Sequence, residues 1–290
     1  EAGFETTTKE ILRTIECGGN SKHIPFGAFK VTGVGSSDLL TKVQDKITLT
    51  DDEEKSFQNI RSRVDSICSK AHEFGVKVLI DAEESWFQNP IDTMAYEMME
   101  KYNQKKPLIF NTYQMYRHES IGALKNADAV AREKGYLLGA KLVRGAYMEK
   151  ERERALENNY PSPIHSDKTA TDRDYNLALK YCIENISHMS LFNGSHNEES
   201  NYTVTHLIEE HGLDHKDDRV WSAQLYGMSD NISYNMANAG FNVAKYLPYG
   251  PIKASMPYLF RRAEENTSVK GQSGRELSLV KREIARRKNK

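Results

Sequence analysis

Two adjacent arginines, Arg261 and Arg262, with Glu265 one helical turn further on, carry the most distinctive chemistry in the chain. They belong to the segment Tyr246-Leu-Pro-Tyr-Gly-Pro-Ile-Lys-Ala-Ser-Met-Pro-Tyr-Leu-Phe-Arg-Arg-Ala-Glu-Glu-Asn266. The pattern predicts a strand over 241–247, a Pro/Gly turn, and a helix with Ser255 as cap and Pro257 in its first turn. Glu265 then lies within reach of both arginines. Two guanidiniums fixed beside a strand end present rigid donor forks that suit a carboxylate. A solvated Arg–Glu pair on a surface helix is the alternative reading of the same residues.

Polar residues also gather where other apolar runs end. The runs lead into Lys30-Val-Thr-Gly33, Asp81-Ala-Glu-Glu84, Asn111-Thr-Tyr-Gln114, Lys141-Leu-Val-Arg-Gly-Ala-Tyr-Met-Glu149, Ser195-His-Asn197, Gln224-Leu-Tyr-Gly-Met228 and Tyr246. Any one of these is compatible with ordinary loop chemistry; seven in register suggest a lined pocket. Lys30 and Lys141 suit either a Schiff-base nucleophile with a lowered pKa or a fixed cation that holds an anion, and the arginines nearby favour the second role. Asp81, at a strand end, is placed to pair with a cation, whereas Glu83 and Glu84 read as caps of the following helix. In Arg144-Gly-Ala-Tyr147, Gly145 and Ala146 let backbone approach a flat ligand, with Tyr147 available to pack on it. Ser166-Asp-Lys-Thr-Ala-Thr171 puts hydroxyls and Lys168 before a helix expected near Asp172, a combination suited to a pyrophosphate or simply to capping. His206, His211 and His215 form no clean ligand pattern, because Gly212 breaks their helical spacing, so no metal site is expected. His196, at a strand end, is the histidine best placed to act in a pocket.

These groups need a scaffold. Strands are predicted over 25–34, 76–82, 107–114, 136–143, 188–192, 219–225 and 241–247. Helical patterns occupy 6–16, 53–74, 90–103, 120–134, 172–185, 198–211 and 229–239. Strand–helix alternation implies parallel strands with helical crossovers, and runs such as Val78-Leu-Ile80 imply burial on both faces. The expected fold is an α/β, TIM-like (β/α)8 barrel with its first strand missing or truncated at the N-terminus, since a helical pattern precedes the first visible strand. A doubly wound sheet competes, but Gly33-Val-Gly35 is a poor version of its phosphate turn. No linker or repeat divides the 290 residues, so 1–290 reads as one domain.

Composition narrows the classes further. A net charge of −1 gives no sign of general nucleic-acid binding. Cys17, Cys68 and Cys182 are odd in number and lack any CxxC pattern, which argues for reduced thiols. No apolar run approaches the ~20 residues of a membrane span. The chain starts at Glu1 without methionine, and a natural N-terminus is expected upstream. The tail from Glu276 to Lys290 reads as a basic amphipathic helix, able to touch an anionic membrane but expected to pack Leu277, Leu279, Val280 and Ile284 inward.

Together these segments resemble the proline dehydrogenases, flavin-dependent (β/α)8 enzymes of proline breakdown. The matching motifs are Asp81-Ala-Glu-Glu84, Lys141-Leu-Val-Arg-Gly-Ala-Tyr147, Lys168-Thr-Ala-Thr-Asp172, Ser195-His-Asn197, Gln224-Leu-Tyr-Gly-Met-Ser-Asp230, Tyr246-Leu-Pro-Tyr-Gly-Pro251 and the Arg261 helix. They run in order from about Lys30 to the C-terminus, in the form closer to single-function, mitochondrial-type members. Lys141 and Met148 depart from the arginine and tryptophan of many bacterial members.

The resemblance implies FAD as cofactor and oxidation of L-proline to Δ1-pyrroline-5-carboxylate, with hydride passing to flavin N5 and electrons going on to a quinone. It implies that Lys30, Arg261 and Arg262 hold the proline carboxylate, and that Asp81, Leu225 and Tyr246 shape the ring pocket. Asn111, Lys141 and His196 would address the flavin ring; Val143, Gly145, Ala146 and Tyr147 would line its side. Ser166, Lys168, Thr171, Ser195, Asn197 and Gln224 would serve the rest of the cofactor, and Glu265 its ribose or the arginines. The implied location is the matrix side of the mitochondrial inner membrane in a eukaryote, and either the cytoplasm or the membrane periphery in a bacterium. A hydroxyproline-preferring relative, a Schiff-base aldolase barrel and a non-catalytic amino-acid-binding module are the competing functions.

Overall fold

The computed structural model describes residues 1–248, 250, 252, 253, 255, 256, 258–260 and 272–288. Its centre is a sheet of seven strands: β1 (Phe26–Lys30), β2 (Lys77–Asp81), β3 (Ile109–Gln114), β4 (Leu138–Val143), β5 (Met189–Gly194), β6 (Val220–Leu225) and β7 (Val243–Tyr246). They lie in sequence order and every neighbouring pair is parallel. A doubly wound sheet would reverse its strand order at a switch point; this one does not. Helices precede or connect the strands: α1 (Ala2–Gly19), α2 (Ser37–Gln44), α3 (Asp51–Phe74), α4 (Gln88–Tyr102), α5 (Ser120–Lys134), α6 (Met148–Glu157), α7 (Lys168–Glu184), α8 (Glu198–Glu210) and α9 (Asp230–Asn238). A further helix, α10, covers Gln272–Lys288.

Local sequence explains the crossovers. Thr50 and Glu53 form a reciprocal capping box at the start of α3, and Gly75 ends it in the left-handed conformation at φ 66°. Between them Ile60, Val64, Ile67, Cys68 and Ala71 repeat at helical spacing and are buried against the sheet. Gly135 ends α5 in the same way, at φ 78°.

Strand alternation separates two cores. Residues such as Val78, Ile80, Ile109, Leu138, Ala140, Leu142, Met189 and Leu191 face outward and pack on the helices. Leu79, Phe110, Phe192 and Ala223 face inward, with Phe26, Ala28, Trp221 and Ala244 packed against them. Phe26 on β1 meets Phe192 at 4.7 Å and Trp221 at 5.3 Å between ring centroids, so the sheet is curled into a half-barrel. Burial on both faces is why the strands read as continuous apolar runs.

Four expectations need correction. Asn111 lies on the outward face of β3, where its Nδ2 donates to Asp92 Oδ1 in α4 at 2.8 Å. Gln224 also faces outward from β6, bonded to the Ser195 carbonyl and the Ser233 hydroxyl at 3.1 and 2.7 Å. In both cases a one-residue shift along a strand reverses the face. Residues 252 and 253 are already helical, so the helix starts before Ser255, whose hydroxyl donates instead to the Gly250 carbonyl at 3.4 Å. Val280 and Ile284 in α10 are about half exposed and not packed inward; periodicity reports an apolar stripe and not what covers it.

Asp92 is enclosed between α4 and β3, with Gln88 Nε2 donating to the same oxygen at 2.8 Å. Burial raises its carboxyl above the ordinary range, outweighing the hydrogen bonds from Asn111 and Gln88 that act to lower it. With the folded value raised, the stability Asp92 contributes is complete below its unfolded pKa and is lost as pH rises through the folded one. Asp92→Asn keeps the acceptor oxygen and removes this slope. The variant is expected to melt above wild type at pH 8, with the advantage shrinking as pH falls; a constant difference across pH contradicts this.

Candidate functional site

The inward-facing residues at the C-terminal strand ends meet above the inner apolar core. Lys141 on β4 donates to Asp81 Oδ1 on β2 at 2.5 Å, and the two side chains are 9% and 13% exposed. Tyr246 on β7 donates to the other Asp81 oxygen at 3.3 Å. The Asp81 carboxylate beside it, together with burial, pushes the Tyr246 phenol well above its ordinary value, so it remains a donor. The Lys141 ammonium also lies 5.6 Å from the Tyr246 ring centre and 5.9 Å from that of Phe192. This cluster ties β2, β4 and β7 together across the mouth.

Lys30, at the end of β1, is exposed at the rim and donates to the Tyr147 hydroxyl at 2.7 Å. The loop below it is supported by Glu83, whose carboxylate accepts from the Thr32 amide at 3.0 Å and from the Thr32 hydroxyl. Burial raises the Glu83 carboxyl despite these bonds. Gln114, also turned inward, donates to the Glu83 carbonyl at 2.7 Å.

A second group follows β4 and β5. Gly145 has φ +136°, and a Cβ built there would lie 2.5 Å from the Tyr116 ring. Glycine is therefore required, and the backbone of Gly145 and Ala146 is left exposed beside Val143. Arg144 turns the other way and joins three segments: it donates to Asp172 at 2.7 Å, Ser195 Oγ at 2.8 Å and Ser200 Oγ at 2.9 Å. Lys168 is bonded to the same Asp172. Partial burial acts to raise the Asp172 carboxyl, but the Lys168 and Arg144 bonds prevail and hold it below its ordinary range. His196 accepts at Nε2 from the Leu225 amide at 3.3 Å, which leaves Nδ1 to donate to Ser229 Oγ at 3.1 Å. Asn197 caps α8 by accepting from the Ser200 amide at 2.9 Å.

Lys30, Asp81, Lys141, Tyr147 and Tyr246 thus form one contact network, and Leu225 joins His196 next to it. Lys168, Ser195 and Asn197 gather around Arg144. Ser166 is exposed at the edge, and Thr171 is buried inside the first turn of α7, which begins at Lys168, four residues before the expected start at Asp172, with Asp167 as its cap. Arg261, Arg262 and Glu265 lie outside the described residues. Thr112, Gln114 and Arg144 are the residues that sequence reasoning passed over; two-residue alternation from Phe110 would have picked out Thr112 and Gln114.

The geometry is that of an α/β half-barrel with a charged mouth over an apolar floor. A family model described as Proline dehydrogenase matches residues 1–275. The chain belongs to the proline dehydrogenase family. It is 41% identical over 241 residues to "Proline dehydrogenase 1, mitochondrial" of Homo sapiens, covering 82% of this chain and 40% of the human protein. The Caenorhabditis elegans protein of the same name is 38% identical over 274 residues, covering 91% and 44%. "Carbapenem antibiotics biosynthesis protein CarD" of Pectobacterium carotovorum subsp. carotovorum is 32% identical over 287 residues, covering 99% and 74%. The chain therefore spans less than half the length of the two animal relatives. Among solved structures, proline utilization A from Bdellovibrio bacteriovorus superposes with a TM-score of 0.80 over 93% of this chain and 29% of that one, at 21% identity. That likeness is one of fold.

Gly145→Ala places a methyl group against the enclosed Tyr116 ring at a backbone angle L-residues rarely adopt. It should cost about 1–3 kcal/mol of stability, read from denaturant unfolding; wild-type stability would mean the loop relaxes freely.

Proposed function

We propose that this chain is the catalytic barrel domain, residues 1–290, of an FAD-dependent enzyme that oxidises L-proline to Δ1-pyrroline-5-carboxylate. The observation that carries the reading is the Lys141–Asp81–Tyr246 cluster, beside Lys30, in a chain of this family. The donor set fits a flavin dinucleotide. Exposed Gly145 and Ala146 backbone gives a flat ring close access, while Lys168, the α7 N-terminus and Ser195 offer donors to an anionic tail.

When bound, FAD supplies the two-electron acceptor for the hydride lost from the ring carbon beside nitrogen. Lys30, with Arg261 and Arg262 assigned from sequence alone, holds the substrate carboxylate. Asp81 fixes Lys141 toward the flavin side and Tyr246 toward the substrate side, while Leu225 and the Phe192 floor exclude water. Val143, Tyr147 and His196 flank the flavin, and Asn197 orders the loop next to it. Ser166, Thr171 and Glu265 belong to the cofactor end of the proposal, whereas Asn111 and Gln224 support the site from behind. The substrate amine must be neutral for its lone pair to support hydride loss, so turnover rises with pH.

We assign a quinone as final acceptor. Exposed Val280 and Ile284 alongside Lys281, Arg287 and Lys288 on α10 support a peripheral membrane contact, in mitochondria if the source is eukaryotic and at the bacterial membrane otherwise. No helix among the described residues is long and apolar enough to cross a membrane. The name of the Pectobacterium relative favours one second reading, in which the same kind of ring oxidation serves a biosynthetic route.

Purified protein should show a flavin absorption spectrum that bleaches on anaerobic addition of proline. Protein that stays colourless and takes up no added FAD would overturn the reading. Arg261→Met and Arg262→Met should each weaken proline use by roughly ten- to hundredfold with flavin retained; unchanged kinetics in both would return them to the solvated surface.

A further inference from the structure

Helix α6 interrupts the connection from β4 to α7 and lies over the turn that follows β2. Its sequence, Met-Glu-Lys-Glu-Arg-Glu-Arg-Ala-Leu-Glu, is almost wholly charged, yet Glu151 is 0% exposed. Both oxygens of this carboxylate are used on one residue. Oε1 accepts from the Ser85 amide at 2.7 Å and Oε2 from the Ser85 hydroxyl at 2.5 Å. Burying an ionisable group requires compensation of this kind.

The surrounding contacts reinforce the same junction. Lys150 pairs with Glu84 at 2.8 Å, and the Arg154 guanidinium lies 4.6 Å from the Trp86 ring centre. From the other side, Gln44 Nε2 donates to the Ser85 carbonyl at 2.9 Å, and Gln44 Oε1 accepts from the Asn89 amide at 3.0 Å. The outer pairs are exposed on at least one partner and contribute little individually. Glu151 is the enclosed centre.

Its two anchors lead directly to the site. Ser85 lies four residues beyond Asp81. At the other end the Glu151 amide donates to the Tyr147 carbonyl at 2.9 Å, closing the first turn of α6 on the residue that holds Lys30. Tyr147 is thereby held between Gly145, whose backbone course only glycine readily adopts, and a helix stapled to the Asp81 loop.

We infer that Glu151 is a positioning residue: it staples α6 to the β2 turn and so sets the distance between the Tyr147–Lys30 side and the Asp81 side of the pocket. This rests on the proposed proline oxidation, but the staple itself has a separate readout. Glu151→Ala leaves an enclosed amide and hydroxyl without a partner and releases α6. Glu151→Gln can restore both bonds, since its oxygen accepts from the Ser85 amide while its NH2 donates to Ser85 Oγ.

The test uses the flavin-loaded protein. Glu151→Ala should raise KM for proline roughly tenfold while kcat changes less than about threefold and flavin content holds. Glu151→Gln should return KM to within about threefold of wild type, and Ser85→Ala should raise it a few-fold by removing one of the two bonds. An unchanged KM in Glu151→Ala overturns the inference, as does a loss of flavin in step with KM that glutamine does not rescue. Should Glu151→Ala fail to fold, Ser85→Ala decides in the same sense. The second readout is Trp86 emission in a Trp221→Phe background. A red shift with greater acrylamide quenching in Glu151→Ala supports the staple, and an unchanged spectrum overturns it, even if wild-type protein proves inactive toward proline and the proposed function falls.

Discussion

A carboxylate on β2 and an ammonium on β4 meet at 2.5 Å over the apolar interior of the half-barrel, and the rest of the site is arranged around that contact. Neither charge tolerates this enclosure alone, because removing one partner of a buried pair costs about 3–5 kcal/mol. Asp81 has a second oxygen available, and Tyr246 occupies it from β7. One carboxylate therefore registers the early, middle and last strands of the sheet against each other. The aromatic faces of Phe192 and Tyr246 beside the ammonium add attraction without adding negative charge.

The fold makes that contact possible through parity. With seven parallel strands in register, alternate residues converge on the inside, small and aromatic ones below and charged ones at the C-terminal ends. Lys30, Asp81, Lys141 and Tyr246 share this inward parity; Asn111 and Gln224 do not. Above the strand ends, specificity of position passes to the loops. There Arg144 joins the segments after β4 and β5, Glu83 braces the turn after β1, and Glu151 holds the turn after β2. Each uses a charged side chain with several directed hydrogen bonds, which fixes geometry better than loop packing does.

Much of the scaffold was legible in the sequence because doubly buried strands and crossover helices leave strong periodic signals. Six of the seven strands fall within the expected segments, β5 runs two residues past its own, and α5 covers the expected residues. Helices α2 and α6 left no such signal: the first has eight residues, and the second buries only Glu151 and Ala155. The Lys141–Asp81 pairing was anticipated in kind, as an acid meeting a cation, but not which cation. Arg144 was hidden because its importance lies in partners distant in sequence, Ser195 and Ser200. Motif resemblance carries no face information: Asn111 and Gln224 turn outward, which only strand register resolves.

The central claim is that Lys141 and Asp81 act as one unit, and a double-mutant cycle on kcat/KM for the proposed oxidation of proline measures this directly. The four proteins are wild type, Asp81→Asn, Lys141→Met and the double variant, each loaded with flavin. If the pair is a unit, each single substitution lowers kcat/KM by roughly a hundredfold or more, and the double variant is no worse than the poorer single one. Losses that multiply in the double variant would show two independent residues and contradict the account.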